Sequence, residues 1–252
     1  MKKLTFCYLI SNLILVLFVT GCANKLEVRK RQEKALRNLG ESYMVQGNHT
    51  AALKEFLKAE KIYPQDPLLQ YDLGLVYVAK DRLDLAIRHF KKAIEIKPDY
   101  ADAKNSLGAV YLIKKEWGIA IPILEEVAEN LLDPKPHIPL SNLGWAHYNR
   151  KDYGLAEKYY SAALKKEPRY IIALRGLGRT YLETGRPSEA VGVFEKAVQY
   201  EPGLAELHFD LARSYAQSGR HKKARDAYQK VIEIDPDTPL AEKARKEIKK
   251  IR

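Results

Sequence analysis

Small and bulky apolar residues recur along this chain at a long, nearly fixed period. A leucine is followed by a small residue and, three positions after that, by tyrosine or histidine. This group occurs six times, and its small residues are Gly40, Gly74, Gly108, Gly144, Gly178 and Ala212, which gives steps of 34, 34, 36, 34 and 34 residues. Apolar residues with this spacing share one face of a helix. Each unit is therefore predicted to begin with an amphipathic α-helix.

A second apolar group follows the first in every unit and pairs a small with a bulky residue four positions later. The pairs are Ala52 and Phe56, Ala86 and Phe90, Ala120 and Leu124, Ala156 and Tyr160, Ala190 and Phe194, and Ala224 and Tyr228. This spacing predicts a second helix in each unit. Glycine inside a helix costs ~1 kcal/mol relative to alanine, so small residues at one register indicate contacts that a larger side chain would block.

Proline and glycine indicate where these helices end. Turns such as those at Gly47 and Gly185 would end the first helices with a residue that accepts positive φ. A proline cannot continue a helix and closes each unit, at Pro64, Pro98, Pro134, Pro168, Pro202 and Pro236.

The period and the Leu-Gly, Tyr, Ala, Phe, Pro order resemble the tetratricopeptide repeat. The resemblance implies an all-α fold, an α-solenoid in which helix pairs stack into a right-handed superhelix. The six repeats are assigned to residues 33–66, 67–100, 101–136, 137–170, 171–204 and 205–237. Residues 238–252 are predicted to form a capping helix, with Leu240, Ala244, Ile248 and Ile251 on its apolar face.

The step of 36 residues places two extra residues in the second helix of repeat three or just after it. Pro122 lies near the start of this helix, and Pro134 and Pro136 follow it. A tolerated surface insertion and a functional bend between the repeats both fit this pattern.

The N-terminal segment resembles the signal peptide of bacterial lipoproteins. Lys2 and Lys3 precede an apolar run, which ends in a four-residue match to a lipobox at Cys22. The resemblance implies removal of residues 1–21, acylation of Cys22 and a short basic tether over residues 22–32. An ordinary signal peptide cleaved nearby is the alternative. Because no aspartate follows the cysteine, the enterobacterial sorting rule favours the periplasmic face of the outer membrane.

Charge and cysteine content agree with export. The formal net charge is +11, which in a cytosolic protein would suggest nucleic acid as a partner. For an exported protein we expect anionic headgroups or an acidic protein surface instead, and no nucleic acid. Cys7 leaves with the signal segment and Cys22 carries lipid, so no disulfide is predicted.

No pattern typical of catalysis is found. The six histidines lack metal-ligand spacing, and no phosphate-binding glycine loop is present. His147 occupies the tyrosine position of its repeat and is predicted to lie in the core. We therefore expect a non-enzymatic protein with no metal, no small-molecule substrate and no cofactor other than the covalent lipid.

The repeat family implies a partner-binding groove on the first helices. Its groove positions lie two before the Leu-Gly leucine, and one and four after the glycine. Trp145 is the sharpest candidate, although packing between helices would also explain it, and Trp117 occupies a position with a structural role. Aromatics and arginine dominate interface energies. The predicted partner-binding residues are Tyr71, Leu75, Val78, Asn105, Leu112, Trp145, Tyr148, Arg175, Arg179, Phe209 and Arg213.

A lipobox followed by six such repeats resembles the outer-membrane pilotins of type IV pilus systems (PilF, PilW and Tgl). The resemblance implies a lipid-anchored scaffold that binds the secretin subunit and promotes its localisation and assembly. The alternative is a general envelope adaptor for outer-membrane protein assembly, or for peptidoglycan hydrolases and proteases.

Overall fold

In a computed structural model, residues 25–130 and 134–251 are described, and within them the chain is entirely α-helical. Helix α1 covers residues 25–45. The remaining helices are α2 (His49–Ile62), α3 (Pro67–Ala79), α4 (Leu83–Ile96), α5 (Ala101–Ile113), α6 (Trp117–Ala128), α7 (His137–Asn149), α8 (Tyr153–Lys166), α9 (Ile171–Glu183), α10 (Pro187–Tyr200), α11 (Ala205–Gln217), α12 (His221–Ile234) and α13 (Pro239–Lys250).

Each predicted repeat corresponds to one pair of consecutive helices. The odd-numbered helices from α1 to α11 are the first helices of the repeats, and the even-numbered helices from α2 to α12 are the second. Local sequence sets the helix starts: Asp66, for example, accepts a hydrogen bond from the Leu68 amide, and Pro67 occupies the first turn of α3. The predicted all-α, solenoid-like repeat fold is confirmed.

The glycine of the Leu-Gly group lies against the bulky residue of the second helix. A Cβ added at Gly178 would lie 2.5 Å from the ring of Phe194, and one added at Gly144 would lie 2.7 Å from the ring of Tyr160. Both rings are buried. The prediction that a larger side chain would block helix contact at this register is confirmed at these positions.

The turns between the two helices of a repeat adopt positive φ, as predicted for Gly47 and Gly185, both at 72°. In repeats two, three and four the same position is occupied by Asp81, Lys115 and Lys151, with φ of 55°, 60° and 65°. These repeats therefore form the same turn with a residue whose Cβ makes positive φ sterically unfavourable.

The chain divides into two compact units, residues 1–110 and 111–252. In the described part of the first unit, Phe56, Leu69 and Leu73 form a fully buried core between α2 and α3. In the second unit, α13 covers the last repeat. Ala244 is buried there, and the other three residues of the predicted apolar face, Leu240, Ile248 and Ile251, pack against the same core cluster.

Helix α1 is described from residue 25, which lies inside the predicted tether of residues 22–32. The additional turns are held against the end of α2, because the Arg29 guanidinium donates two hydrogen bonds to the Ile62 carbonyl. The predicted signal peptide and Cys22 lie outside the described residues. Within the described ranges, no helix combines the length and apolar character needed to cross a bilayer.

The longer step in repeat three lies after its second helix. Helix α6 ends at Ala128 and α7 begins at His137, so residues 129–136 separate them, whereas four residues separate α2 from α3 and α8 from α9. Pro122 lies inside α6.

Candidate partner-binding surface

In the second unit, the first helices α7, α9 and α11 lie beside one another. Trp145 and Tyr148 lie on α7, Arg175 and Arg179 on α9, and Arg213 on α11; we call the face that carries them the first-helix surface. Burial raises the pKa of the Tyr148 hydroxyl, and the charges of Arg179 and Arg213 oppose this rise. Arg179 and Arg213 therefore lie within electrostatic range of Tyr148, although the three side chains belong to three repeats.

Two of the predicted arginines already have an acidic partner. Arg175 Nε donates to Asp210 Oδ2 at 2.7 Å, and Arg179 Nε donates to the same oxygen at 3.1 Å. Asp210 is only 1 % exposed. A buried carboxylate with two guanidinium donors is a charge-assisted pairing, so one of the two positive charges is balanced inside the protein.

The Arg175 contact belongs to a recurring type of contact between successive first helices. Each such contact links the position two before the Leu-Gly leucine to the position one before the corresponding leucine of the next repeat. The distances are 3.5 Å for Arg37 Nη1 to Asp72 Oδ2, 3.5 Å for Tyr71 Oη to Ser106 Oγ, and 2.7 Å for Arg175 Nε to Asp210 Oδ2. Some residues of the predicted groove therefore form polar contacts between neighbouring repeats.

Trp145 packs against a neighbouring helix and is also accessible. Its ring makes an edge contact with Trp117, with centroids 5.9 Å apart, and 38 % of the residue stays exposed. Tyr148, one turn further along α7, is half-buried and makes a similar contact with Tyr153 at 5.7 Å. The N-terminal part of the first-helix surface is thus aromatic and accessible.

In the first unit, the predicted residues lie on α3 and α5. The Tyr71 ring packs between Phe90 and Tyr100, at centroid distances of 5.8 and 5.2 Å. Leu75, Val78 and Asn105 are half-buried. Tyr71 therefore contributes to the core as well as to the surface.

Leu112 does not lie on an accessible surface. It is 1 % exposed, whereas Val78 and Tyr148, at the same position of their repeats, are half-buried. Neighbouring side chains cover it, so it cannot contact a partner in this structure. Phe209 is also largely buried, at 5 % exposure, and its ring packs against Tyr228.

Phe209 nevertheless lines a cleft at the end of the last repeat. The cleft, of about 190 Å³, lies between α11, α12 and α13, and Arg213, Tyr228, Lys243 and Glu247 also line it. The Lys243 ammonium lies over the Phe209 ring, 5.3 Å from its centroid. An adjoining cleft of about 370 Å³ shares Tyr228 and Glu247.

The first unit contains a carboxylate cluster around Arg37. Glu33, Glu41, Asp66 and Asp72 each have an oxygen within 4.0 Å of its guanidinium. The pKa of Glu33 and of Asp72 is raised to about 7, mainly by burial and then by the nearby carboxylates Asp66 and Glu41, while the charge of Arg37 opposes the rise. No set of three or more His, Cys, Asp or Glu side chains in the described ranges is placed to hold a metal ion.

Comparison with protein families supports the repeat assignment along most of the chain. Residues 40–81 and 74–113 match a model described as TPR repeat, and residues 141–204 and 185–248 match models described as tetratricopeptide repeat. The chain is a tetratricopeptide repeat protein. This fold generally serves as a scaffold for protein interactions. No relative was found among curated protein sequences.

Solved structures with similar folds include other tetratricopeptide repeat proteins. PilW, described as a widely conserved type IV pilus biogenesis factor, is 21 % identical with a TM-score of 0.78, over 84 % of this chain and 97 % of PilW. PilF from Pseudomonas aeruginosa is 19 % identical with a TM-score of 0.75, over 87 % of this chain and 99 % of that one. YrrB, a TPR protein with an unusual peptide-binding site, is 24 % identical with a TM-score of 0.55, over 76 % of this chain and 97 % of YrrB.

Sequence analysis of this tetratricopeptide repeat protein missed Asp210 and Lys243. Asp210 lies 35 residues after Arg175, one more than the repeat period, so a search for opposite charges at that offset would have found it. Lys243 is on the capping helix, outside the repeat pattern, and its approach to Phe209 depends on how α13 packs on α11. No sequence signal marks that contact.

Proposed function

We propose that the chain is a lipid-anchored scaffold of type IV pilus biogenesis that binds a protein partner of the pilus machinery. The observation that carries the proposal is the fold similarity to PilW, which extends over 84 % of this chain and 97 % of PilW. The fold by itself does not determine function, so the proposal also rests on the N-terminal motif.

The predicted lipobox at Cys22 supports an outer-membrane location. Several acyl chains, each contributing ~0.8 kcal/mol per buried CH₂, would anchor the chain stably. Helix α1 is described from residue 25, three positions after Cys22 in the sequence, so the acylated cysteine would lie near the first repeat. The scaffold would therefore act close to the periplasmic face of the membrane, where a secretin subunit inserts.

The first-helix surface of the second unit supports protein binding. It presents an accessible aromatic pair at Trp145 and Tyr148, and a guanidinium at Arg213. Aromatic and arginine side chains contribute most of the binding energy at protein interfaces. The proposed partner is the secretin subunit, whose localisation and assembly the scaffold would promote, as the pilotin resemblance implies.

An immunoblot for denaturant-resistant secretin multimers in outer-membrane fractions tests the proposal. We expect multimers in the wild-type strain, their loss in the deletion strain, and reduced or misplaced multimers in a Cys22→Ala strain. Cys7→Ala is the matched control, because this cysteine would be removed with the signal peptide, and it should behave as wild type. Normal multimers in the deletion strain would contradict the pilus assignment and favour a general envelope adaptor.

A further inference from the structure

Arg213 is the one arginine of the first-helix surface that has no acidic partner among the described residues. Arg175 and Arg179 share Asp210, whereas Arg213 makes no hydrogen bond or ion pair within the ranges that the structure describes. Arg213 is half-buried and lines the cleft of about 190 Å³. A guanidinium held in a cleft without a counter-ion is a ready donor for an external carboxylate.

The remaining charges around the two adjoining clefts leave the site positive. Glu247 is the only acidic residue among the described ones that lines them, and it forms an ion pair of 2.8 Å with Lys250. Lys243 has no carboxylate partner in the described part of the chain, and its ammonium lies over the Phe209 ring. Among the described residues, the lining of the two clefts therefore carries three cations, Arg213, Lys243 and Lys250, against one carboxylate, Glu247.

The floor of the cleft is aromatic. Phe209 and Tyr228 pack against each other with ring centroids 5.3 Å apart and line the same cleft. Both residues are buried, at 5 % and 2 % exposure, so they support the cleft and present little surface of their own to a partner. Recognition of a ligand therefore depends on the two cations.

We propose that the cleft between α11 and α13 binds an acidic side chain of the protein partner, with Arg213 and Lys243 pairing with the carboxylate. This inference deepens the proposed function and rests on it for the existence of a partner. It commits the partner segment to a glutamate or aspartate, which pairs with Arg213 and Lys243 and not with Arg175 and Arg179.

Fluorescence anisotropy with the purified protein tests the inference. The probe is a fluorescein-labelled heptapeptide of alternating glutamate and leucine with blocked termini, compared with its glutamine counterpart. We expect the glutamate peptide to bind at least about tenfold more tightly, the ratio that one charge-assisted hydrogen bond produces. Arg213→Gln and Lys243→Gln should each remove most of this preference.

Lys246→Gln is the matched control for Lys243→Gln, because both lysines are exposed on α13 and only Lys243 lines the cleft. It should bind like wild type. Arg213→Lys keeps the charge and should retain binding within about threefold, which separates a charge effect from misfolding.

Equal binding of the two peptides, or an equal loss in the Lys246→Gln variant, would overturn the inference. Phosphatidylglycerol vesicles, with phosphatidylcholine vesicles as reference, form a second arm. Binding of anionic vesicles lost in Arg213→Gln, with no binding of the glutamate peptide, would overturn it in favour of a lipid surface. The assay contains no pilus component, so its failure leaves the pilus assignment standing. A failed pilus assignment would remove the proposed partner but would not change the peptide measurement.

Discussion

Gly178 and Phe194 show how a single position sets the approach of two helices. Phe194 is fully buried, and its ring occupies the space that a Cβ at Gly178 would need. Gly192, two residues before Phe194 on the same helix, has open space around its Cα. A side chain at Gly178 would therefore collide with the core, whereas a side chain at Gly192 would not, although both glycines lie inside helices.

Gly178→Ala should destabilise the protein by about 1–3 kcal/mol, because the core must move to accept the added methyl group. Gly192→Ala should stabilise it by up to about 1 kcal/mol through helix propensity. Thermal unfolding followed by circular dichroism measures both changes. Equal effects at the two positions would contradict the packing explanation.

A second residue-level feature is the exchange of histidine and tyrosine between repeats. In repeat two, Tyr77 of the first helix stacks on His89 of the second, with centroids 5.2 Å apart. In repeat four, His147 of the first helix stacks on Tyr159 of the second, at 5.4 Å. His147, predicted to lie in the core, is 5 % exposed. The same stacked pair therefore forms whether the histidine lies on the first or on the second helix of the repeat.

At the scale of helices, contacts at an offset of 35 residues join successive first helices. The Arg175 contact with Asp210 connects α9 to α11, and Arg37 and Asp72 connect α1 to α3 in the same way. Consecutive repeats are thus linked by polar contacts at their surface as well as by the apolar core. Solenoid stability depends on such interfaces between neighbouring repeats.

Asp210→Ala should destabilise the protein by about 1–3 kcal/mol, because it leaves two guanidinium groups together without the buried acceptor. Glu233→Ala is the control: Glu233 is 52 % exposed and pairs only with Lys230 on its own helix. Surface pairs of that kind contribute about 0–1 kcal/mol. Unfolding in urea measures the stability of both variants. If Asp210→Ala destabilises the protein no more than the control does, Asp210 does not stabilise the contact between α9 and α11.

The carboxylate cluster at the junction of α1 and α3 predicts a pH dependence. The pKa of Glu33 and of Asp72 is raised to about 7, so the folded state binds more protons than the unfolded state between their ordinary pKa values and 7. This contribution to stability is fully present below the ordinary carboxyl pKa and is lost as the pH rises through about 7.

Glu33→Gln should therefore raise Tm at pH 8 by about 2–4 °C, the shift that 1 kcal/mol produces in a chain of this size, and weaken the fall in Tm between pH 5 and pH 8. Glu27→Gln, on the exposed side of the same helix, should leave both quantities unchanged. Differential scanning calorimetry across this pH range provides the comparison. A Tm that rises with pH in wild type would contradict the raised pKa values.

For the whole molecule, the sequence predicted what the repeat period controls. The helix pairs, the close approach at Gly178 and the turn at Gly185 all follow from residues in a repeating register. The exposure of individual side chains does not follow from it, because Leu112 is covered while Tyr148 at the equivalent position is accessible. Burial depends on the neighbouring repeat, and neighbouring repeats differ in sequence.

Features outside the repeat pattern were also beyond sequence analysis. The N-terminal extension of α1 is stabilised by Arg29, which reaches the end of α2 from 33 residues away. The cleft at Arg213 requires the capping helix to bring Lys243 over Phe209. Such contacts depend on the packing of elements, which a period of 34 residues does not specify.

Site-specific photo-crosslinking in the source organism tests the central claim most directly. A photoreactive amino acid replaces Trp145 on the first-helix surface or, as control, Leu155 on the second helix of the same repeat; the two residues are 38 % and 43 % exposed. We predict a crosslinked band that reacts with antibody to the secretin subunit from position 145 and none from position 155. A secretin crosslink from position 155 alone, or from neither position, would contradict binding of the pilus partner through the first-helix surface.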